Sequence, residues 1–343
     1  MENKKTLTGD NRILWMDVLN VVACLSVVLL HCNNDVKFQG HLSNYLLYGV
    51  GVYTCFYWPV PVFYMLSFCN NLRYRNGIKS FLMRRFRRIV MPYIIWSLLY
   101  SVFCIYFMEE NYSVLKYIEC FLTGHFNGNM WFFIPLFGLY LSIPFLRVLI
   151  NSLSKRHLMY FTLCGFFFTS LVPWFCTILN IKAPNLFPLG GGFLSVCMAG
   201  YIIMSYNIDR QYRKIIYWGG IIAIFLHFIW MVYKTLSLGE FYMDGLDYSS
   251  PHSFIVPVAV FLWFKNTNWQ KFFDTMHIKK SFIHLFSSCS FGVYLLHWGV
   301  QVLGNKYGIP CMNYFYGFLV TYFICIFLVM LLKKIPFVKC LVP

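Results

Sequence analysis

Residues 13–33 read "ILWMDVLNVVACLSVVLLHCN", an apolar run that is long enough to cross a lipid bilayer as one helix. The run nevertheless contains Asp17, Asn20 and His31. Ionisable side chains in a membrane span usually face a partner or a cavity rather than lipid. The stretch therefore predicts a spanning helix with a polar role, although Asp17 can also complement the helix dipole and His31 can simply reach the interface.

The composition of the remaining chain extends this prediction to the whole protein. Of 343 residues, 59% are hydrophobic and only 12% are charged, whereas soluble domains are about one-quarter charged. Helices satisfy their own backbone hydrogen bonds in lipid, so we expect an all-α, polytopic membrane protein. The net charge of +16 does not indicate a nucleic-acid partner, because no basic soluble domain carries it.

Apolar runs of about 20 residues predict about ten transmembrane helices. They cover roughly 13–32, 45–68, 89–108, 130–150, 158–179, 190–206, 215–236, 252–265, 283–303 and 313–332. If the N-terminus is cytoplasmic, then all Lys and Arg residues fall on the cytoplasmic side except Lys37, Lys116, Lys182, Lys234 and Lys306.

The positive-inside rule therefore predicts that both termini are cytoplasmic. We expect a single domain over 1–343, with cytoplasmic tails at 1–12 and 333–343. The abundance of Phe, Tyr, Ile, Lys and Asn favours a bacterial plasma membrane.

A second intramembrane histidine lies in "SSCSFGVYLLHWG", residues 287–299. Ser290 and Tyr294 precede His297 at helical spacing and share a face with it. In the predicted topology, His31 and His297 both fall in the outer half of the membrane. They can therefore line one polar cavity, or each can be an ordinary buried histidine of a helical core.

On the first helix, Asp17 and His31 are fourteen residues apart, which is about 21 Å. Asp17 and Asn20 therefore belong to the cytoplasmic half.

The longest basic run is "RYRNGIKSFLMRRFRRIVMPYIIW", residues 73–96. Anchoring to anionic lipid headgroups explains a basic cluster at the mouth of a span. The planar guanidinium group also binds phosphate well, so a phosphate-bearing cosubstrate from the cytosol can dock on Arg84, Arg85, Arg87 and Arg88. Arg85 and Arg88 are three residues apart and are expected to share a helical face. The spacing of Cys and His residues indicates no metal site.

Four segments together resemble the acyltransferase 3 family of membrane proteins. They are "DVLNVVACLSVVLLH" (17–31), "PVPVFYMLSF" (59–68) leading to "RRFRRIVMPYIIW" (84–96), "NMWFFIPLFGLYLSIPFL" (129–146) and "SFGVYLLHW" (290–298). The resemblance covers nearly the whole chain and keeps the order of the segments. It implies a membrane-bound O-acyltransferase that moves an acyl group, most often acetyl, from cytosolic acyl-CoA to a hydroxyl of a cell-envelope glycan or glycolipid.

The resemblance also implies roles for particular residues. The essential histidine of the family falls on His31, and its Arg-x-x-Arg pair, associated with the donor, falls on Arg85 and Arg88. Its late motif falls on Ser290, Tyr294 and His297.

This chain departs from the family pattern at three places. Asn20 stands where an arginine is usual, Phe68 replaces a glycine after Ser67, and Asn129 with Met130 replaces a histidine before a tryptophan. We expect a member of the family without a fused soluble hydrolase-like domain after the last predicted span. A catalytically inactive relative would show the same departures.

A mechanism follows from the predicted depths. The CoA phosphates are expected on the four arginines, with the pantetheine arm passing Asp17 and Asn20 towards His31, about 16 Å above Asn20. His31 then acts as general base on the acceptor hydroxyl, or forms an acyl-histidine. His297 or Tyr294 donates a hydrogen bond to the oxyanion.

A transporter or flippase of a lipid-linked sugar is the alternative function. Two outer segments, 107–129 and 238–253, are expected either to shape acceptor choice or to form plain interface loops.

Overall fold

The computed structural model describes residues 13–33, 36–75, 77–110, 113–126, 130–183, 192–313 and 315–343. All regular secondary structure in these ranges is helical, so the all-helical prediction is confirmed for the described part of the chain. The predicted N-terminal tail and the family departure at Asn129 lie outside the described residues.

The helices are named in chain order. They are α1 (Leu14–His31), α2 (Asn44–Phe56), α3 (Pro59–Asn71), α4 (Ile78–Arg85), α5 (Met91–Phe107), α6 (Val114–Thr123), α7 (Phe133–Ser152), α8 (Lys155–Phe166), α9 (Val172–Ile178), α10 (Gly192–Ser205), α11 (Arg210–Leu238), α12 (His252–Asn266), α13 (Trp269–Thr275), α14 (Lys280–Lys306) and α15 (Gly317–Lys334).

Seven helical stretches in the described ranges are long and apolar enough to cross a membrane. They are Leu14–His31, Asn44–Asn71, Ile78–Phe107, Met130–Ser152, Lys155–Ile178, Arg210–Leu238 and Gly317–Lys334. The other three predicted spans coincide with α10, α12 and α14, which are shorter or more polar. The protein is therefore an all-helical, multi-pass membrane protein, and the count of about ten spans stays a prediction.

The second span is broken into α2 and α3 around Tyr57 and Trp58. Pro59 begins α3, and a proline is tolerated at the first position of a helix but not in its interior. Tyr57 donates a hydrogen bond to the Leu246 carbonyl at 2.7 Å and stacks on Tyr248 at 4.5 Å between ring centroids. These contacts give the interrupted segment protein partners inside the span.

Two other spans contain a π-helical turn, at Phe86–Val90 between α4 and α5 and at Phe167–Leu171 between α8 and α9. Each turn is followed two residues later by a proline, Pro92 or Pro173. A proline clashes with the carbonyl four residues earlier and leaves it without its usual donor. That carbonyl lies inside the π turn in both spans, so the wider turn accommodates the proline.

The expected single domain contains two compact units. The first comprises Met1–Asn70 and Ser152–Ser287, and the second Asn71–Asn151 and Ser288–Pro343. In the first unit, α1 contacts α2 and α12, and Trp15 meets Phe261 edge-on with ring centroids 5.1 Å apart. Helices α11 and α12 approach closely at Gly220, where an added Cβ would lie 2.7 Å from the Ala259 Cβ.

The second unit holds α4 to α7, α15 and α14 from Ser288 onward. The Trp96 indole of α5 donates a hydrogen bond at 3.0 Å to the carbonyl of Leu341, which lies near the end of the chain. The Tyr100 hydroxyl donates to the Leu295 carbonyl, which links α5 to α14. Arg147 of α7 donates to the Tyr74 carbonyl at 2.6 Å and so fixes the segment that leads into α4.

Candidate active site

Asp17 is held by the first turns of α14 in the first unit. Its side chain is buried, and its two carboxylate oxygens contact His284 Nδ1 at 2.8 Å and Ser287 Oγ at 2.5 Å. Asn20 Nδ2 donates to both the hydroxyl and the carbonyl of Ser287, each at 3.0 Å. The Ser287 hydroxyl thus accepts from Asn20 while it donates to Asp17.

His284 was not predicted as a site residue, because its partner lies 267 residues away in the sequence. The only local signal is that His284 and Ser287 are three residues apart and therefore share a helical face. These contacts also show the structural role of Asn20, which stands at a position where the family usually has arginine. Asn20 joins α1 to α14 through two hydrogen bonds and carries no charge.

His31 is the last residue of α1 and is half-buried. Two residues later, Asn33 is almost completely buried, and its amide donates to the Leu29 carbonyl at 2.9 Å. Tyr53 of α2 donates to the Asn33 backbone carbonyl at 3.1 Å. Asn33 Oδ1 is buried and has no hydrogen-bond partner among the described residues.

A second pair of histidines in the first unit was not predicted. The rings of His227 and His252 stack at 4.4 Å with an interplanar angle of 14°, and both side chains are buried. His252 Nε2 donates to the Thr54 carbonyl at 2.7 Å, so Nδ1 is its acceptor nitrogen. That nitrogen is buried without a partner in the described part of the chain.

His297 is fully buried in the second unit. Its Nδ1 lies 2.6 Å from the Tyr294 carbonyl and 3.3 Å from the Val293 carbonyl. Carbonyl oxygens only accept hydrogen bonds, so Nδ1 carries the proton. In the neutral ring, Nε2 is then the basic nitrogen and cannot donate, which favours a base over the predicted oxyanion donor for His297.

The predicted polar stripe on α14 is present. Ser290 is buried, and Tyr294 packs between Phe132 and Phe133 with ring centroids 5.3 and 5.8 Å away. Gln301, one turn beyond His297, is also buried and extends the stripe, which sequence reasoning did not include.

The four predicted arginines lie in the N-terminal half of one continuous helical stretch, Ile78–Phe107, and their place before the third span stays a prediction. Arg84, Arg87 and Arg88 are exposed, whereas Arg85 is half-buried. A π turn starts after Arg85 and changes the angular spacing of the residues that follow, and the expected shared face of Arg85 and Arg88 stays a prediction. The structure provides three exposed arginines and one that is half-buried.

Arg85 packs between two aromatic rings. Its guanidinium carbon lies 5.8 Å from the ring centroids of Phe81 and Tyr140, and it hydrogen-bonds the Tyr140 side chain. No group of three or more His, Cys, Asp or Glu side chains in the described ranges is placed to hold a metal ion.

The structure places the predicted site residues in both units. The first unit contains Asp17, Asn20 and His31, and the second contains the arginine cluster and the stripe with His297. The expectation that His31 and His297 line one cavity stays a prediction.

Comparison with known proteins gives one match. A model of the acyltransferase domain family, acyltransferase 3, matches residues 13–334, which is nearly the whole chain. No curated protein and no solved structure matches it. The matched range includes the helix that ends at His31, the arginine cluster and the α14 stripe. The chain therefore belongs to the acyltransferase 3 family and is a multi-pass membrane protein of an acyltransferase family.

Proposed function

We propose that this protein is an O-acyltransferase of a bacterial plasma membrane that moves an acyl group, acetyl in the simplest case, from cytosolic acyl-CoA to a hydroxyl of a cell-envelope glycan or glycolipid. The observation that carries the proposal is the family match over residues 13–334, with a histidine kept at the end of α1. About ten spans with both termini in the cytoplasm fit the distribution of Lys and Arg.

The donor binds through its phosphates to the arginine cluster. The exposed guanidinium groups of Arg84, Arg87 and Arg88 are available to a soluble ligand, and Arg85 lies beside them. Guanidinium–phosphate hydrogen bonds are charge-assisted and often bidentate, so they suit a nucleotide carrying several phosphates.

His31 takes the acceptor proton. Histidine suits the role of a general base, because an unperturbed imidazole exchanges its proton near neutral pH. The freed hydroxyl oxygen attacks the thioester carbonyl, the tetrahedral intermediate expels the CoA thiolate, and the imidazolium returns its proton to that thiolate. An acyl-histidine intermediate on His31 is the alternative route.

The α14 stripe serves the same reaction. Tyr294 carries a hydroxyl that can stabilise an oxyanion, a role that is often worth a few kcal/mol. The Nδ1 of His297 donates to backbone carbonyls, so Nε2 is the basic nitrogen of the neutral ring in the proposed reaction. Ser290 completes this face as a buried hydroxyl.

The acceptor meets an aromatic surface in the first unit. Tyr57 and Tyr248 stack, Phe193 lies 5.6 Å from Tyr248, and Asp247 is the neighbour of Tyr248 in the sequence. Aromatic faces beside a carboxylate suit a sugar ring, whose apolar face stacks while its hydroxyls donate. On this proposal, segment 238–253 shapes acceptor choice rather than forming a plain interface loop.

One observation favours the alternative function. The break between α2 and α3 resembles the interrupted helices that form substrate sites in many transporters of ions and solutes. A transporter or flippase would move a sugar without changing it.

The two functions differ in whether a covalent bond is formed. The purified chain is reconstituted into proteoliposomes with acetyl-CoA carrying a radiolabelled acetyl group and an exported polysaccharide. The proposal expects alkali-labile label on the polysaccharide, as an ester requires. Uptake of labelled sugar without acetyl transfer would replace the proposal with the transporter.

A further inference from the structure

A groove of about 610 Å³ lies in the second unit between two membrane-spanning stretches. One wall comes from α4 and the π turn and includes Ile78, Phe86 and Val90. The other wall comes from α7, where the groove is bordered by Phe137 and Leu141. Ligand sites in proteins typically have volumes of about 300–1,000 Å³, so the groove is large enough for a bound molecule.

The walls of the groove are apolar and accessible from the side. Phe86 and Leu141 are exposed, and they belong to stretches that are apolar enough to be membrane spans. In a membrane, hydrocarbon therefore has direct access to the groove. An occupant with an apolar chain is favoured over a soluble polar one.

Two cations interrupt this apolar lining. Lys79 is exposed in the first turn of α4, and Arg85 lies six residues further along the helix, about 9 Å away along its axis. Arg85 Nε is buried and has no hydrogen-bond partner among the described residues. A buried N–H donor of a cation without an acceptor is costly, so an anionic or carbonyl oxygen is expected there when the groove is filled.

The groove is long enough for one acyl chain. Ile78 and Val90 are twelve residues apart, which corresponds to roughly 18 Å along a helix. The hydrocarbon core of a bilayer is about 30 Å thick, so an acyl chain that fills one leaflet extends about 15 Å. A lipid whose headgroup lies at Lys79 can therefore fit one chain along the groove.

We propose that this groove is a binding site for an anionic glycerophospholipid of the membrane. One acyl chain lies along the apolar walls, the phosphate pairs with Lys79, and Arg85 donates to an ester carbonyl or to the phosphate. This site goes beyond acyl transfer: it shares only Arg85 with the arginine cluster proposed for the donor, and His31 takes no part.

The test measures lipid binding by the delipidated, full-length chain in detergent. Phosphatidylglycerol, phosphatidylcholine and a polyisoprenyl phosphate are each titrated and counted by native mass spectrometry. Two variants alter the groove, Arg85→Gln and Leu141→Trp. Two controls match them: Arg75→Gln changes an exposed arginine outside the groove, and Val148→Trp changes a residue of α7 that is 70% exposed, as Leu141 is 69% exposed.

The proposal expects preference for phosphatidylglycerol, a loss of about tenfold or more in affinity for Arg85→Gln and Leu141→Trp, and near-normal binding by both controls. Lys79→Gln is a second charge variant in case Arg85→Gln does not fold.

Three results would overturn the site. The first is an equal loss of lipid affinity in Arg75→Gln and Arg85→Gln, which would indicate attraction by diffuse charge. The second is unchanged lipid affinity in Leu141→Trp, and the third is tighter binding of the polyisoprenyl phosphate than of phosphatidylglycerol. If lipid binding behaves as expected while acetyl transfer is absent, only the proposed function fails.

Discussion

Removing the Asp17 carboxylate should destabilise the first unit by an amount that the geometry allows us to estimate. Asp17 is 6% exposed and accepts from Ser287 Oγ at 2.5 Å and from His284 Nδ1 at 2.8 Å. A hydrogen bond to a charged group contributes about 1.5–3 kcal/mol. The His284 side chain is 33% exposed, so solvent screening reduces its contribution to about 1 kcal/mol. We expect Asp17→Ala to lower the free energy of unfolding by about 3 kcal/mol.

A double-mutant cycle isolates the contact that matters most. Ser287→Ala removes the hydroxyl that donates to Asp17, while Asn20 keeps its bond to the Ser287 carbonyl. Contacting residues of one network typically show coupling energies of about 0.5–3 kcal/mol, and we expect about 1.5 kcal/mol between Asp17 and Ser287. Ser142 gives the control cycle, because its exposed hydroxyl bonds to a carbonyl of its own helix.

The free energies are measured by unfolding the purified protein with dodecyl sulfate in mixed micelles and following tryptophan fluorescence. The control cycle of Asp17 with Ser142 should show a coupling below about 0.5 kcal/mol, as distant sites do. If the cycle of Asp17 with Ser287 gives an equally small coupling, then the network between α1 and α14 does not exist as described.

Two further changes give equally direct tests. Arg88→Gln should raise the KM for acetyl-CoA about tenfold, because a charged phosphate contact is lost, and leave the acceptor KM near its original value. Exposed Arg156 is the matched control, and equal donor KM values for both variants would assign Arg88 to membrane anchoring. Gly220→Val should destabilise the protein by about 1–3 kcal/mol through the clash with Ala259. Gly138→Val, where an added Cβ meets nothing within 4 Å, should cost less, and equal costs would contradict the close helix packing.

Much of the fold follows from local pattern alone. The first predicted span, 13–32, coincides with α1, because a continuous apolar run needs no tertiary information to be recognised as a helix. The break after Tyr57 and the π turns before Pro92 and Pro173 were not predicted. Each is nevertheless marked by a proline inside an apolar run, so the signal was present in the sequence and was outweighed by hydrophobicity.

The site could be predicted only where a residue is unusual in its own segment. His31 and His297 stand out as imidazoles in apolar runs. His284 and the pair of His227 and His252 do not, because their significance comes from partners distant in the sequence, and no local periodicity encodes those contacts. The π turn after Arg85 was not predicted for a related reason, since an ideal α-helix was assumed through the arginine cluster.

The most direct test of acyl transfer concerns the imidazole at the end of α1. Wild-type protein, His31→Ala and the exposed-histidine control His41→Ala are reconstituted in equal amounts, and transfer of labelled acetyl from acetyl-CoA to polysaccharide is followed. A general base contributes about 10²–10⁴-fold, so His31→Ala should retain at most about one-hundredth of the wild-type rate, while His41→Ala retains all of it. Transfer by a folded His31→Ala protein at the wild-type rate would contradict the account.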